Sequence, residues 1–264
     1  MALLYKAVLT PSKLELLQGW VPAQPWSGGS ADAAGGTDVS AAALVQVGSY
    51  RFDDPEGEVG IETMLLRAGE GDAAGPVLQV PVTYRAAPLD GAETSLIGTV
   101  EHSVLGTRWV YDACGDPVYA AVLTTVILGG GSHVEQHWVI DGEVVAKPLD
   151  TIVEGTGGGA VLGANAAADG DRDGDGADAA AGLIAIDSVE TGTESTLIRV
   201  GDVVLEVLRR VTGEGALTAV EAASAARAES AAALAGTSAM LLGRWPGEPE
   251  PRLLASASAA VSTA

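Results

Sequence analysis

The chain has 264 residues, of which 47% are hydrophobic, and its 35 acidic and 14 basic residues give a formal net charge of −21. A chain of this length can bury a substantial core in one large domain or two small ones. The scarcity of Lys and Arg argues against nucleic acids and anionic membranes as partners, because both require clustered positive charge. The single cysteine, Cys114, excludes an internal disulfide and favours a reducing, cytoplasmic location. We expect no signal peptide and no membrane-spanning segment.

The N-terminal part predicts short strands around one short helix. Leu3–Leu9 reads as a strand, and Ser12 with Glu15 forms a capping box that begins a helix ending near Gln18. The proline-bounded segment Trp20–Trp26 is predicted to be extended. A Gly/Ala/Ser-rich loop over 27–42 is then followed by three strands with short turns, which favours antiparallel pairing: Leu44–Phe52, Val59–Arg67 and Val77–Tyr84.

The best-defined unit is a pair of strands that leads into a capped helix. Thr94–Leu105 is rich in β-forming residues, and Gly106-Thr107 can reverse the chain into a second strand. Asp116 suits a helix N-cap and Pro117 suits the first helical position. Val118–Leu128 is a nearly all-apolar helix that Gly129–Gly131 ends. It must be covered by other elements. Loss of the cap alone predicts that Asp116→Ala costs roughly 0.5–2 kcal/mol.

The remaining sequence predicts two hairpins separated by a linker. Val134–Ile140 and Glu143–Ala146 pair through Asp141-Gly142, a strong turn dipeptide. Gly155–Gly182 consists almost entirely of Gly, Ala and Asp, so we predict that it is disordered and dispensable for folding. Later elements are a hairpin, a helix, a proline-rich break and a frayed tail: Thr196–Val200 with Val203–Val211, Ala216–Leu234, Trp245–Pro251, and the residues from Ala255 onward.

These elements indicate an α+β protein whose main domain is a curved antiparallel sheet with a packed helix, followed by a small hairpin and helix unit. The predicted boundaries are a first domain at 1–150, a flexible linker at 151–187, a second unit at 188–254 and a tail at 255–264.

Two stretches of the first domain resemble the N-terminal cap of actinobacterial maltokinases and stand-alone cap-like proteins. Trp20–Trp26 resembles the segment of that cap in which two tryptophans enclose a proline and a glutamine. Pro25 stands where the kinases usually carry Arg, and Gly28-Gly29 where they read Gly-Lys. Gly98–Asp116 resembles the stand-alone proteins closely. The resemblance covers about residues 1–150 and implies a curved sheet of cystatin-like topology that holds a helix.

A second resemblance lies beyond the linker. Val189–Val211 is similar to the segment that opens the kinase N-lobe, where a hairpin carries the nucleotide-binding lysine. Aligning Gly201-Asp202 and Arg209-Arg210 with that segment places Glu206 at the lysine position. A lysine there neutralises phosphate charge, which a glutamate would repel. After Val211 we find no catalytic loop and no metal-binding Asp motif, so the resemblance implies a vestigial N-lobe.

Two groups of residues invite a metal interpretation. Asp169–Gly174 matches the start of an EF-hand loop, but Ala180 stands where the loop needs a bidentate Glu. His133 and His137 share a strand face, with His102 as the remaining histidine. The order of the histidines matches no zinc motif, so a polar strand face is the favoured interpretation for them. For the acidic run, a solvated linker is favoured.

Other candidates are a possible nucleophile, glycine runs and tryptophans. Cys114 with His102 and Asp112 can be drawn as a catalytic trio, although a free cysteine buried between a strand and a helix is favoured. Gly129–Gly131 does not lead from a strand into a helix, so it does not predict a phosphate loop. Tryptophans that could stack on a sugar, but for which a core or rim position is favoured, are Trp20, Trp26, Trp109, Trp138 and Trp245.

The favoured function is a non-catalytic, cap-like interaction or regulatory module of maltose, trehalose or glycogen metabolism. Its expected partner is a protein, such as a sugar kinase or a related enzyme, and no catalytic residue, cofactor or metal site is assigned. A remote, ATP-dependent sugar kinase with an altered nucleotide site is the alternative. A small-ligand binding module is a third interpretation, by analogy with sheets that fold around a pocket.

Overall fold

The computed structural model describes residues 2–5, 7–28, 43–68, 76–140, 143–147, 149–158, 185–211 and 238–259. These residues form two α-helices and three β-sheets. Several sequence predictions lie wholly or largely outside them: the loop 27–42, the turn Asp141-Gly142, the linker Gly155–Gly182 beyond Gly158, the acidic run Asp169–Gly174 and the helix Ala216–Leu234.

A curved antiparallel sheet forms the centre of the molecule, which confirms the α+β prediction. Its strands, in chain order, are β2 Leu9–Thr10, β3 Leu44–Phe52, β4 Gly60–Ala68, β5 Val77–Arg85, β6 Leu96–His102, β7 Gly106–Asp112 and, from the C-terminal part, β14 Arg210–Val211. The strands follow the order β2-β6-β7-β5-β4-β3, with β14 pairing β5. The capping box at Ser12 starts helix α1, Lys13–Trp20, as predicted.

Both faces of this sheet are apolar and covered. Side chains alternate along β4, because successive residues of a strand point to opposite faces. Met64 and Leu66 pack with Leu17 of α1 and with Trp26, whereas Ile61 and Leu65 belong to a second core cluster. This arrangement explains why the central strands read as nearly continuous apolar runs.

Helix α2, Pro117–Gly129, lies in the second core cluster, between two sheets. Asp116 caps it by accepting a hydrogen bond from Val118 N–H at 3.0 Å, and Gly130 ends it with a φ of 69° in the left-handed region. Both signals were predicted from the sequence. Buried α2 residues such as Leu123 share this cluster with residues of the curved sheet and of a six-stranded sheet. This cluster is the covering that the apolar surface of α2 requires.

The six-stranded sheet is larger than the predicted hairpin unit. Its strands are β10 Ile152–Gly155, β11 Ser188–Thr191, β12 Ser195–Val200, β13 Val203–Leu208, β15 Ala239–Trp245 and β16 Glu248–Ala259. They follow the order β10-β15-β16-β13-β12-β11.

Two local predictions in this region were wrong. Ile152–Gly155 lies within the predicted linker but pairs with β15, and Ala255–Ala259 lies within the predicted tail but pairs with β13. Gly155 and Gly157 are also packed closely on α2, since a Cβ on either glycine would lie 2.1 Å from a carbonyl oxygen of Val126 or Leu128. Composition indicated flexibility here, whereas these glycines permit a close approach of backbones.

Three predictions for the N-terminal half of the chain also differ from the structure. The first strand is split into β1 Ala2–Tyr5 and β2, and the turn before β7 lies at Ser103–Leu105 rather than at Gly106. Trp20–Trp26 is not extended but contains two short 3-10 turns, at Val21–Ala23 and Pro25–Ser27. The fixed φ of proline suits the first position of such a turn as well as an extended chain.

A small third sheet contains the predicted hairpin. Strand β8, Gln136–Ile140, pairs with β1 in parallel and with β9, Glu143–Ala146, in antiparallel orientation. Among the described residues, no helix has the length and apolarity needed to cross a membrane.

Candidate functional site: the Arg209 junction

Arg209 lies at the point where the chain leaves the six-stranded sheet for the curved sheet. It follows the last residue of β13 and precedes β14, which pairs with β5. Its backbone is fixed on both sides. Its N–H donates to the carbonyl of Glu194 at 2.7 Å, and its carbonyl accepts from the N–H of Gln79 at 2.9 Å. The predicted strand Val203–Val211 is therefore interrupted at Arg209.

The Arg209 side chain is fully buried and forms an ion pair with Asp112 at the end of β7. Its Nη2 donates to both carboxylate oxygens, at 2.8 and 2.6 Å, and its Nε donates to Thr196 Oγ1 at 2.8 Å. Burial alone would lower the pKa of Arg209, but the negative charge of Asp112 and its hydrogen bonds raise the pKa overall. The guanidinium therefore stays charged in the interior.

Trp26 covers the other side of this guanidinium. The carbon centre of the Arg209 guanidinium lies 5.2 Å from the centroid of the Trp26 ring, a cation–π distance. Trp20 meets Trp26 edge to face at 5.7 Å. The neighbouring Arg210 donates from Nη1 to the Trp26 carbonyl at 3.1 Å. Both tryptophans of the segment Trp20–Trp26 thus contribute to one cluster.

We call this cluster the Arg209 junction; its members are Trp20, Trp26, Asp112, Thr196, Arg209 and Arg210. It joins the three stretches that carry the family resemblances: Trp20–Trp26, Gly98–Asp116 and Val189–Val211. Sequence reasoning used Arg209 only to align the second resemblance. An arginine directly after an apolar strand, in a chain this poor in basic residues, is the signal that could have indicated a buried ion pair.

Cys114 lies beside the junction but is not an activated nucleophile. It is buried in the short turn between β7 and α2, as predicted, and its N–H donates to Asp112 Oδ1 at 3.2 Å. Burial raises the pKa of the thiol, so the nucleophilic thiolate is disfavoured. His102 pairs with Gly106 at the opposite end of β7. Six residues of strand separate Gly106 from Asp112, about 20 Å, so the three side chains do not form a catalytic trio.

Glu206 lies on the face of the six-stranded sheet that points away from α2. Its strand neighbours Leu205 and Val207 belong to the core around α2, and side chains alternate along a strand. Glu206 Oε1 accepts a hydrogen bond from Ser195 Oγ at 2.9 Å. Its cross-strand partners are Leu197 and Ser256. The position that resembles the kinase lysine therefore carries a carboxylate.

The other sequence candidates are dispersed. Nδ1 of His133 lies 3.1 Å from Val153 N, whereas His137 lies in β8. No group of three or more potential metal ligands occurs in the part of the chain that the structure describes. Trp26 and Trp245 are buried, whereas Trp138 is 38% exposed. A depression between β10 and β15 has a volume of about 110 Å³, below the ~300 Å³ at which ligand pockets usually begin. A depression on α1, lined by Leu14, Glu15, Gln18 and Gly19, has a volume of about 370 Å³.

Comparison with known proteins identifies one part of the chain. No curated protein matches it. Residues 20–116, less than half of the chain, match a family model. This match begins at Trp20 of the Arg209 junction and extends to the N-cap of α2, so it contains both stretches that suggested the cap resemblance. Residues 20–116 match the maltokinase N-terminal cap domain family, which confirms the resemblance predicted from the sequence.

Proposed function

We propose that the protein is a non-catalytic, cap-like module that binds and regulates a protein of maltose, trehalose or glycogen metabolism in the cytoplasm. A complete sugar kinase is the first candidate partner. The family match of residues 20–116 supports the cap assignment. The observation that carries the non-catalytic part is the carboxylate of Glu206 at the position that resembles the kinase lysine.

Charge is the reason that Glu206 weighs against phosphoryl transfer. This reaction depends on cations and metal-binding carboxylates arranged around the phosphates. Glu206 presents negative charge instead, and Ser195 holds its carboxylate by a hydrogen bond. The net charge of −21 gives the whole molecule a field that repels a nucleotide.

The Arg209 junction supports a role as a rigid binding module. Its fully buried guanidinium is engaged by Asp112, Thr196 and Trp26, and the Cys114 thiol beside it is disfavoured as a nucleophile. The junction ties the cap segments to the six-stranded sheet through the buried ion pair of Arg209 with Asp112. A cap that keeps a fixed orientation to the adjoining sheet is suited to present one surface to a partner.

Calorimetry and a turnover assay test this proposal. The full chain is titrated with ATP–Mg²⁺, and ADP release is then measured with maltose, glucose and glucosamine. We expect neither saturable micromolar binding nor sugar-dependent turnover, but measurable binding to a complete maltokinase in a parallel titration. Turnover that is lost in Glu206→Gln would establish the alternative, a remote sugar kinase. ATP binding without turnover would indicate a nucleotide-sensing pseudokinase and would also overturn the proposal.

A further inference from the structure

Strand β9, Glu143–Ala146, is an exposed edge strand with an apolar centre. Among the residues that the structure describes, it pairs with β8 on one side and with no strand on the other. All four of its residues are exposed, and Val144 and Val145 retain 55% and 45% of their surface. An apolar edge of this kind is a template for another strand, and proteins usually protect it with charge, proline or a covering segment.

The hydrogen-bond pattern shows which backbone groups face outward. The N–H of Lys147 donates to the carbonyl of Gln136 at 2.9 Å, so Lys147 directs its backbone groups toward β8. These directions alternate along a strand. Glu143 and Val145 therefore also face β8, whereas Val144 and Ala146 direct their N–H and C=O groups toward the open edge.

We propose that a second copy of this chain pairs with this edge, antiparallel, to form a symmetric dimer centred on Val145. Val145 then lies opposite its own copy, and Val144 lies opposite Ala146 of the other chain. The outward groups of Val144 and Ala146 form four intermolecular hydrogen bonds. The same symmetry places Glu143 opposite Lys147 of the other copy, twice. The segment Glu143–Lys147 is thus complementary to itself in charge as well as in hydrogen-bond pattern.

The neighbouring registers are less favourable. A shift toward Lys147 would place Val144 opposite Pro148, which has no N–H to donate. A shift the other way would pair Ala146 with Gly142, which precedes the first residue of β9. In both registers Glu143 loses its position opposite Lys147. The centred register alone places both Val144 and Ala146, whose backbone groups face outward, opposite residues of β9.

Side chains on one face extend the contact. Trp138 is the direct cross-strand neighbour of Val145, and Nζ of Lys147 lies 5.8 Å from the Trp138 ring. In the dimer the two Val145 side chains lie between the two Trp138 rings, so partly exposed apolar surface becomes buried. The net charge of −21 opposes association, so we expect a weak dimer that depends on protein concentration.

Sedimentation equilibrium of the full chain over a wide concentration range tests the dimer and its register. Glu143→Lys and Lys147→Glu each place like charges opposite one another at two symmetric positions, and each should raise the dimer Kd roughly tenfold. The double exchange Glu143→Lys/Lys147→Glu restores opposite charges and should return the Kd to about the wild-type value. Glu190 is an exposed residue of β11, away from β9. Glu190→Lys makes the same change in net charge as Glu143→Lys and is its matched control.

Val144→Pro is an independent test. It removes an outward N–H without removing a hydrogen bond to β8 and should abolish the dimer. A chain that remains monomeric at every concentration would contradict the proposal. So would a dimer that persists in Val144→Pro, or single charge variants that behave like Glu190→Lys. Rescue by the double exchange, with weakening in both single variants, would establish the pairing.

Discussion

Nη2 of Arg209 donates hydrogen bonds to both carboxylate oxygens of Asp112, which lies 97 residues earlier in the chain. Asp112 ends β7 in the curved sheet, and Arg209 directly follows Leu208, the last residue of β13 in the six-stranded sheet. One buried ion pair therefore joins the cap segments to the part that resembles a kinase N-lobe. The long separation in sequence means that this link forms only when both sheets are in place.

Replacing Arg209 by Met should destabilise the protein by about 3–5 kcal/mol, because it leaves the largely buried Asp112 carboxylate without its partner. Urea denaturation measures the loss. The double variant Arg209→Met/Asp112→Leu removes both charges and should recover about half of it or more. Arg210→Met, which removes a partly exposed arginine, is the matched control and should cost roughly 1–2 kcal/mol. Equal losses in the Arg209 and Arg210 variants would show that the buried ion pair contributes no more to stability than the partly exposed arginine does.

Asp116→Ala should cost more than the loss of a helix cap. Besides capping α2, the fully buried Asp116 carboxylate accepts hydrogen bonds from Thr83 Oγ1 at 2.8 Å and from Arg85 Nε and Nη2 at 2.7 and 2.6 Å. Breaking this buried pair raises the expected cost to about 3–5 kcal/mol, above the roughly 0.5–2 kcal/mol of a cap.

Asp116→Asn is the matched variant, because an amide oxygen can still cap α2 but carries no charge. We expect its free energy of unfolding to lie between those of wild type and Asp116→Ala. Thermal or urea unfolding of the three proteins measures these differences in the free energy of unfolding. A cost for Asp116→Ala within the range of a cap would mean that Arg85 contributes little to the stability of the fold.

Local signals in the sequence predicted local structure well. Asp116, Pro117 and Gly130 determine the ends of α2 through their own backbone chemistry, so the helix was predicted almost to the residue. The conformation of Trp20–Trp26 was not predicted correctly. The φ angle that proline fixes occurs both in extended chain and in helical turns, and proline does not determine ψ. Strand β16 was missed because Pro249 and Pro251 argue against a strand. In the structure these prolines stand outside its paired positions.

The Arg209 junction could not be predicted from local sequence patterns, for a different reason. The resemblances predicted that Trp20–Trp26 and Gly98–Asp116 belong to one cap, but no pattern within either stretch specifies Arg209 as their common contact. A charge is tolerated in the interior only when it is paired, and Asp112, the partner of Arg209, lies 97 residues earlier in the chain. The burial of Arg209 therefore depends on tertiary structure that composition and spacing do not encode.

The linker prediction can be tested in two parts with different expected results. Replacing residues 159–184 by a Gly/Ser segment of equal length should leave the thermal midpoint unchanged, because the predicted dispensability rests on their composition. Gly155→Ala should lower the midpoint clearly, because its Cβ would lie 2.1 Å from the Val126 carbonyl oxygen in α2. Gly158→Ala is the matched control, since a Cβ there meets no atom within 4 Å. A large loss in the Gly/Ser replacement would show that 159–184 is structural.

Glu62 should make stability depend on pH in the acid range. It is 7% exposed in β4, where Lys13 Nζ donates to its Oε2 at 2.5 Å and Tyr84 donates to the same oxygen at 3.2 Å. Burial by itself raises the pKa of Glu62, but the charges of Lys13 and Arg51, with these hydrogen bonds, lower the pKa below its ordinary value of 4.5.

A carboxyl group whose pKa is lower in the folded than in the unfolded protein stabilises the fold at pH values above the unfolded pKa. We therefore expect the contribution of Glu62 to be complete above about pH 5 and to be lost as the pH falls through its folded pKa. Glu62→Gln keeps the shape but cannot ionise, so its free energy of unfolding should fall less steeply between pH 5 and pH 3 than that of wild type. Urea denaturation at several pH values measures both slopes. Parallel slopes would show that Glu62 has no lowered pKa, and a steeper fall in Glu62→Gln would show that burial outweighs the charges of Lys13 and Arg51.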